Sequence, residues 1–591
     1  MYKKCFAEYK SYNKFLIHLW TDEGYTTTEW SKSAYIECDE SEAKYRGLND
    51  EPLKKTYKWK KGTSGLHFHD MSPYQNFLVD KYGINDEPST THKEIFFDIE
   101  IEMGDALTPE YIQSAPKKVT SIAWYFKQED EWKIIILDPK QQIQPTVNGN
   151  KEIIPVYNEE VLLSKFLTYM RELDPDILVG YNSDYFDIPY LYYRIKNVLG
   201  EEMVEYLSPI LKVKEKRSYR TNEIYDSNQP IEIAGVESLD YMRLHKKYSW
   251  EDEPSWKLDA LGEKYVGLNK IEYEGSLDRL FEEDIEKFIE YNFRDVEILV
   301  ELDKKLEYLA LTKNLSHKGK HNYGEVYHNT VTQDGAISAY LLSEGIIPPP
   351  KENHPQKKKG YAGGYLFCPK AGIYKYMFDE DLTSLYPCII MSLNIGKETM
   401  VGRIINDTLP ENLRYRPYKV EDKENKTSYY SPSRNNYLGL NDLKKKDPQE
   451  KLTVENAKGK RTQIEVGNLI NLIEDMKMAV SANGTFFRTD KSSVLSIILD
   501  KWFTERVKYK NQMKKAFKAG NNELGTSFHL KQYTMKILLN SLYGATALPT
   551  FRYAMNHAIL SEAITLSGWR IIQESALAAN RHINKLMKTE I

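Results

Sequence analysis

Residues 95–101 read IFFDIEI, with apolar Phe97, Ile99 and Ile101 alternating with Asp98 and Glu100. That period of two belongs to a β-strand, which would send both carboxylates to one face and the apolar side chains to the other. Two carboxylates displayed from one rigid element are costly to bury without an opposite charge, and a divalent cation is the usual partner. A solvated strand edge is the plain alternative.

Working outward, the chain alternates strands with amphipathic helices from His92 onward. SIAWYF, WKIIILD and DILVGYN read as strands, and a long helical run extends from about Glu283 to Leu311. This is an α/β layout. Residues 1–92 mix short alternating stretches with Gly- and Pro-punctuated turns, a small α+β unit without a cluster of catalytic residue types. After the helical segment TQDGAISAYLLSEG, the stretch IIPPPKENHPQKKKG looks like a crossing between domains. Between Asn406 and Lys460 the chain is so polar and charged that a partly ordered surface insertion is expected. Helices resume near Asn468. A chain of 591 residues exceeds one hydrophobic core and suggests about four domains.

Composition narrows the class. With 81 Lys+Arg against 86 Asp+Glu the net charge is −5, so any surface for phosphates must be local. One such segment exists: Lys501 to Asn540 holds nine basic residues against Glu505 and Glu523. The four cysteines (Cys5, Cys38, Cys368, Cys388) are scattered and never form CxxC, which argues against a disulfide framework or structural zinc and fits a reducing cytoplasm. The N-terminal MYKKCFAEYK lacks the apolar core of a signal peptide, and no run approaches a membrane span. The expectation is a cytoplasmic enzyme without a membrane partner.

Two further motifs bear on Asp98 and Glu100. YNSDYFDIPYL carries Asp187 after an apolar strand, and YNFRDVEIL places Tyr291 and Asp295 four apart on one helix face. Four carboxylates from separate elements meet the requirement for two Mg²⁺-type ions about 4 Å apart, with Tyr291 placed to orient an attacking water. In order, FDIE, NSDYFD and YNFRD resemble the three exonuclease motifs of the proofreading domain of family B DNA polymerases. The resemblance implies a ribonuclease H-like 3′→5′ exonuclease domain using Asp98, Glu100, Asp187, Tyr291 and Asp295. RSYRTNEIYDSNQPIEIAG, between the motifs, reads equally as the β-hairpin that in such enzymes parts primer from template or as an ordinary hairpin.

The second half carries its own constellation. Arg506 and Lys510 are four apart in DKWFTERVKYKNQMKKAF, and Lys536, Asn540 and Tyr543 fall at i, i+4, i+7 in LKQYTMKILLNSLYG. Two facing helices would thus present three cations to a triphosphate, unless they are simply solvated amphipathic helices. KILLNSLYG is similar to the family motif KxxxNSLYG, FDEDLTSLYPCII contains its DxxSLYP, and GYAGG (Tyr361, Gly363, Gly364) its DNA-contacting YxGG. The likeness implies a metal ligand at Asp381 on a palm strand. It implies a nucleotide pocket made by Leu382, Ser384, Leu385, Tyr386, Arg506, Lys510, Lys536, Asn540 and Tyr543, with a tight turn at Gly544. Tyr386 would lie under the sugar and exclude a 2′-hydroxyl. FRYAMNHAILSEAITLSGWRIIQ resembles the helix that returns to the palm.

The likeness runs from about residue 92 to the end and is nearest to polymerases of the T-even-like bacteriophage type. It implies an N-terminal domain (1–92 and 308–352), an exonuclease domain (93–307), an incomplete palm (353–489 and 545–591) and helical fingers (490–544). The YxDTD hairpin and thumb that follow in the family are not found in the 47 residues after Gly544. A second polypeptide carrying them, a truncated gene and an inactive polymerase site are three readings. Intact upstream motifs favour the first. The expected cofactors are two Mg²⁺ or Mn²⁺ per active site. Expected partners are primer-template DNA, deoxyribonucleoside triphosphates, that second polypeptide and, through it, a sliding clamp, in the host cytoplasm if phage-encoded. The alternative class is an exonuclease alone, or a nucleic-acid-binding scaffold or repressor.

Overall fold

A computed structural model describes residues 1–60, 62–104, 107–216, 230–249, 251–352, 363–365, 372–373, 379–405, 418–422, 427–431, 437–555 and 558–587. They divide into two units: Met1–Ser33, Thr56–Lys61 and Met71–Ser343 in one, Ala34–Lys55, Gly62–Asp70 and Glu344–Ile591 in the other.

The first unit opens with an antiparallel meander of β1 (Tyr2–Ser11), β2 (Lys14–Thr21) and β3 (Gly24–Ser31). Its apolar face, with Tyr2, Cys5, Ile17 and Leu19, packs with Phe77 and Leu78 of α1 (Pro73–Tyr82). A seven-stranded mixed sheet follows, built from β4 (Glu94–Ile101), β5 (Val119–Phe126), β6 (Glu131–Leu137), β7 (Thr146–Asn148), β8 (Lys151–Val156), β9 (Ile177–Gly180) and β10 (Glu237–Asp240). Its order is β7-β8-β6-β5-β4-β9-β10, with β4, β9 and β10 parallel. Every residue of central β5 is buried, and its sequence VTSIAWYF accordingly lacks the charged alternate positions of a half-exposed strand.

Helices account for that burial on both faces. Ile95, Phe97 and Ile99 join a core with α2 (Glu159–Leu173) and α3 (Asp187–Val198), which leaves the even-numbered face of β4 to the helices after residue 284. The single helical run expected from Glu283 to Leu311 is two helices, α5 (Ile285–Leu306) and α6 (Tyr308–Gly319), after the short α4 (Tyr241–Tyr248). Glu307 breaks the run at φ 55°, and the Asp303 carboxylate caps the next helix by accepting the Leu309 N–H. Of the expected hairpin at 217–235, short strands Val213–Glu215 and Ile231–Ile233 pair antiparallel, while 217–229 lie outside the described residues.

In the second unit α7 (Leu385–Ser392) precedes a sheet of β11 (Met400–Ile404), β12 (Lys451–Asn456), β13 (Arg461–Glu465), β14 (Ala479–Val480) and β15 (Thr485–Phe487), in the order β13-β12-β11-β15-β14. Helix α8 (Val466–Asp475) covers one face through Val466, Leu469 and Ile473. The polar insertion expected over 406–460 is corrected from Tyr437 onward, since Leu438, Leu443 and Leu452 are core residues of this sheet. Three leucines spaced among lysines and aspartates are a weak sequence signal, yet they suffice where a strand and a helix share them. Much of 406–436 lies outside the described residues; within it Tyr418–Asp422 pairs with Thr427–Ser431. The basic segment forms a helical hairpin, α9 (Val494–Lys518) and α10 (Asn522–Thr546), followed by α11 (Ile559–Met587).

A buried ion pair ties early residues into this second unit. Arg552 is fully buried, meets Asp70 Oδ1 at 2.7 Å and donates to the Pro349 carbonyl at 2.6 Å, while Asp70 also accepts the Lys351 N–H. Asp70→Ala would remove the counter-charge of a desolvated guanidinium, an expected loss of about 3–5 kcal/mol. Hydrogen exchange of residues 344–352 and 545–555 checks this; unchanged protection would show the pair contributes nothing.

Candidate active sites

Strand β4 turns Phe97 and Ile99 into the core, so Asp98 and Glu100 emerge on the opposite face, half-buried beneath α5. Helix α5 adds Tyr291 and Asp295, both buried and one turn apart. One ligating oxygen each from Asp98, Glu100 and Asp295 lies within 4.8 Å of the others. Asp187, the first residue of α3, stands beside this trio without joining it. Its Oδ1 accepts the Ile99 N–H at 3.2 Å, which anchors the head of α3 to the carboxylate strand.

Electrostatics follow from crowding like charges in a desolvated place. Burial raises all four carboxyls, Glu100 to about 8 and Asp187 to about 7. Asp98 is pushed well above the ordinary range by burial and then by Asp295, Glu100 and Asp187. Asp295 is raised by burial despite the opposing charge of Lys270, whose ammonium donates to Asp295 Oδ2 at 2.5 Å and to the Tyr291 hydroxyl oxygen at 3.2 Å. The other oxygen of Asp295 is buried without a hydrogen-bond partner. An all-oxygen donor set with an orphaned acceptor and an excess of negative charge fits hard divalent cations such as Mg²⁺ or Mn²⁺.

Sequence reading missed the residues around the carboxylates. Lys270 sits on irregular chain between helices, where no periodicity marks it, and Tyr273 packs edge-on against Tyr291 at 5.5 Å. Asn292 lies inside YNFRD itself and donates from Nδ2 to Asp98 Oδ2 at 2.7 Å. Asp240, at the end of β10, accepts the Asn182 N–H at 3.0 Å and caps α4, which holds the turn leading to Asp187. Nearby, Asp184 of the NSDYFD motif pairs with Arg243, and that guanidinium lies 3.7 Å over the Tyr327 ring.

The second unit places the other expected residues. Tyr361 lies outside the described residues. The Gly363 carbonyl accepts the Trp569 indole N–H at 2.8 Å, and a Cβ at Gly363 would meet nothing within 4 Å. A Cβ at Gly364 would make only ordinary contact, 3.5 Å from the Tyr386 hydroxyl. Described neighbours thus do not demand either glycine. Asp379, Asp381 and Leu382 are exposed on irregular backbone; the strand expected there is absent from 379–382, and 374–378 lie outside the described residues. Among the described residues no cluster of three ligating side chains includes Asp379 or Asp381.

Ser384, at φ 54°, starts α7, and Leu385 is its first residue. The Tyr386 ring sits 4.4 Å from the Tyr543 ring of α10, and a Cβ at Gly568 of α11 would come within 3.1 Å of it. Three helices therefore meet at Tyr386, and Gly568 makes the room. Arg506 and Lys510 lie on α9, with Lys536, Asn540 and Tyr543 on facing α10. Arg506 Nε is buried without a hydrogen-bond partner, and Lys536 Nζ is 5.5 Å from the Tyr533 ring centre. Gly544 is within α10, so the tight turn expected there is instead uninterrupted helix, two residues before the helix ends.

Two family models match the chain in order. Residues 74–261 match the model of the DNA polymerase family B exonuclease domain, and residues 335–590 match that of DNA polymerase family B. The chain is similar to the DNA-directed DNA polymerase of Escherichia phage RB69, 29% identical over 95% of this chain and 64% of that protein. It is also similar to that of Enterobacteria phage T4, 28% identical over 74% of this chain and 47% of the relative. DNA polymerase 1 of Saccharolobus solfataricus is 26% identical over 45% of the chain. The chain thus spans less than two thirds of the phage relatives it matches. Among the described residues no helix is long and apolar enough to cross a membrane. With both family models matched in order along one chain, and with FDIE, NSDYFD, DLTSLYP and KILLNSLYG inside them, the protein belongs to DNA polymerase family B.

Proposed function

We propose that this chain carries the 3′→5′ proofreading exonuclease of a replicative DNA polymerase together with the nucleotide-binding part of its polymerase site. The observation that carries the exonuclease reading is the convergence of Asp98, Glu100 and Asp295 within 4.8 Å, with Asp187 fixed alongside. On this reading residues 93–307 are a ribonuclease H-like domain, 353–489 with 545–591 a palm, and 490–544 the fingers.

Asp98, Glu100, Asp187 and Asp295 would hold two divalent cations, which when bound activate water and neutralise the phosphodiester. Lys270 has donors only, so the Tyr291 oxygen accepts from it and the tyrosine proton points away from Lys270, with the Asp295 carboxylate within its reach. Burial and the nearby Asp295 charge raise the Tyr291 phenol, which keeps that proton in place at neutral pH. Tyr291 is therefore a fixed donor, suited to orienting a water or a phosphate oxygen but not to removing a proton. Lys270 offsets part of the carboxylate charge and holds the phenol in register.

At the polymerase site, Arg506, Lys510 and Lys536 on facing helices would neutralise the charge spreading over a triphosphate, and the Tyr386 ring would lie against the sugar. Asp381 is exposed and outside any described carboxylate cluster. The carboxylates that would complete its site, and the contacts to duplex and sliding clamp, would come from polypeptide outside residues 1–591.

The chain incubated with 5′-labelled single-stranded DNA and Mg²⁺ or Mn²⁺ should yield a ladder of shortened products. Asp98→Ala with Glu100→Ala should reduce digestion to the level of an enzyme-free control while DNA binding persists; undiminished cleavage by the double variant would refute the assignment. In an assembled polymerase, Tyr386→Ala should raise ribonucleotide incorporation by at least roughly tenfold, about 1.4 kcal/mol of lost discrimination. Unchanged sugar selectivity would leave Tyr386 as packing for Tyr543 and Gly568 alone.

A further inference from the structure

We infer that Ser121 and Asn292 form a two-link positioning chain that sets the orientation of the Asp98 carboxylate for cation binding, an inference that rests on the exonuclease reading. Both residues are fully buried, at 0% exposure. Ser121 Oγ donates to Asn292 Oδ1 at 2.8 Å, and Asn292 Nδ2 donates to Asp98 Oδ2 at 2.7 Å.

Direction in this chain is fixed by chemistry. A carboxylate that holds a cation is ionised and only accepts, so in that state the amide nitrogen must face Asp98 and the amide oxygen must face Ser121. The Ser121 hydroxyl donates to that oxygen, and since a hydroxyl can also accept, the carboxylate end is what sets the direction of the amide. With Oδ2 held, rotation of the Asp98 carboxylate is stopped, and the direction of its other oxygen is set. Elements are locked along with side chains: Ser121 on β5 is the register partner of Glu100 on β4, and Asn292 comes from α5 one turn before Asp295. One relay thus links the strand bearing two ligands to the helix bearing the third.

Packing alone does not account for this pair. A leucine has the branching and heavy-atom count of asparagine and would occupy a fully buried position between sheet and helix without two polar groups to satisfy. The relay also needs a neutral donor, since an aspartate at 292 would add a further negative charge against Asp98. Outer partners of metal-ligating side chains typically alter metal affinity by about 10- to 100-fold when removed. That effect separates positioning from structure, because affinity for a cation reads carboxylate orientation, whereas folding does not.

The test measures Mn²⁺ bound by the full chain without DNA, from the loss of the free-ion electron paramagnetic resonance signal. Binding that vanishes in Asp98→Ala/Glu100→Ala defines the site. Asn292→Leu should weaken that binding by roughly tenfold or more, and Ser121→Ala by a smaller factor. Because Ser121 acts through Asn292, Ser121→Ala should cost nothing further in the Asn292→Leu background. Wild-type affinity in Asn292→Leu, or additive effects of the two changes, would overturn the relay while leaving the exonuclease reading intact. If Asn292→Leu does not fold, Ser121→Ala decides: unchanged Mn²⁺ affinity overturns the inference. A wild-type chain that neither binds Mn²⁺ at this site nor digests DNA would overturn the exonuclease reading, and the relay with it.

Discussion

Mutual repulsion among Asp98, Glu100, Asp187 and Asp295 is the constraint around which the first unit is organised. Carboxylates brought together and desolvated raise one another's proton affinity, and left alone they would separate or neutralise. Here they cannot separate. Two share one face of a strand whose opposite face is locked in the core, one heads a helix bonded back to that strand, and one sits on a helix packed over it. Lys270 supplies only one positive charge against four acidic groups. Raised proton affinity offsets the remaining imbalance until a divalent cation displaces the protons, and the fold keeps the groups in place for it.

Much of this was legible beforehand because it follows from short periodicities. The alternation of IFFDIEI fixes which face carries Asp98 and Glu100, and the four-residue spacing of Tyr291 and Asp295 fixes their common helix face. What stayed hidden depends on contacts distant in sequence. Lys270 reaches Asp295 from irregular chain, and Asp240 reaches Asn182 across two parallel strands. Asn292 was in plain view inside YNFRD, yet its role needs Ser121, which lies 171 residues away. The leucines at 438, 443 and 452 were masked by charged neighbours, and a polar-insertion reading followed from averaging over them.

The second unit shows a different physical regime. Its aspartates 379 and 381 are exposed and, among the described residues, join no carboxylate cluster, whereas its aromatic residues are tightly placed: Tyr386 against Tyr543, with Gly568 beneath. On the proposed reading, the cations on α9 and α10 and the ring at 386 would recognise a nucleotide, a task that shape and charge perform before any chemistry. The exonuclease family model falls within the first unit, and most of the polymerase family model falls within the second. The first unit brings Asp98, Glu100 and Asp295 together, and the second brings Tyr386 against Tyr543.

The account turns on whether the carboxylates near Asp98 are protonated when empty and ionised when a cation binds. Calorimetric titration of Mg²⁺ into the chain, repeated in buffers of different ionisation enthalpy, counts the protons released. With Glu100 raised to about 8 and Asp187 to about 7, binding near neutral pH must displace protons. The release should shrink as pH rises through those values, because the groups are then already ionised. Proton release at about pH 7 that diminishes by about pH 9, and disappears with Asp98→Ala/Glu100→Ala, is the predicted result. Mg²⁺ binding to the wild-type chain with no proton release at about pH 7, or release unaltered in the double variant, would contradict it.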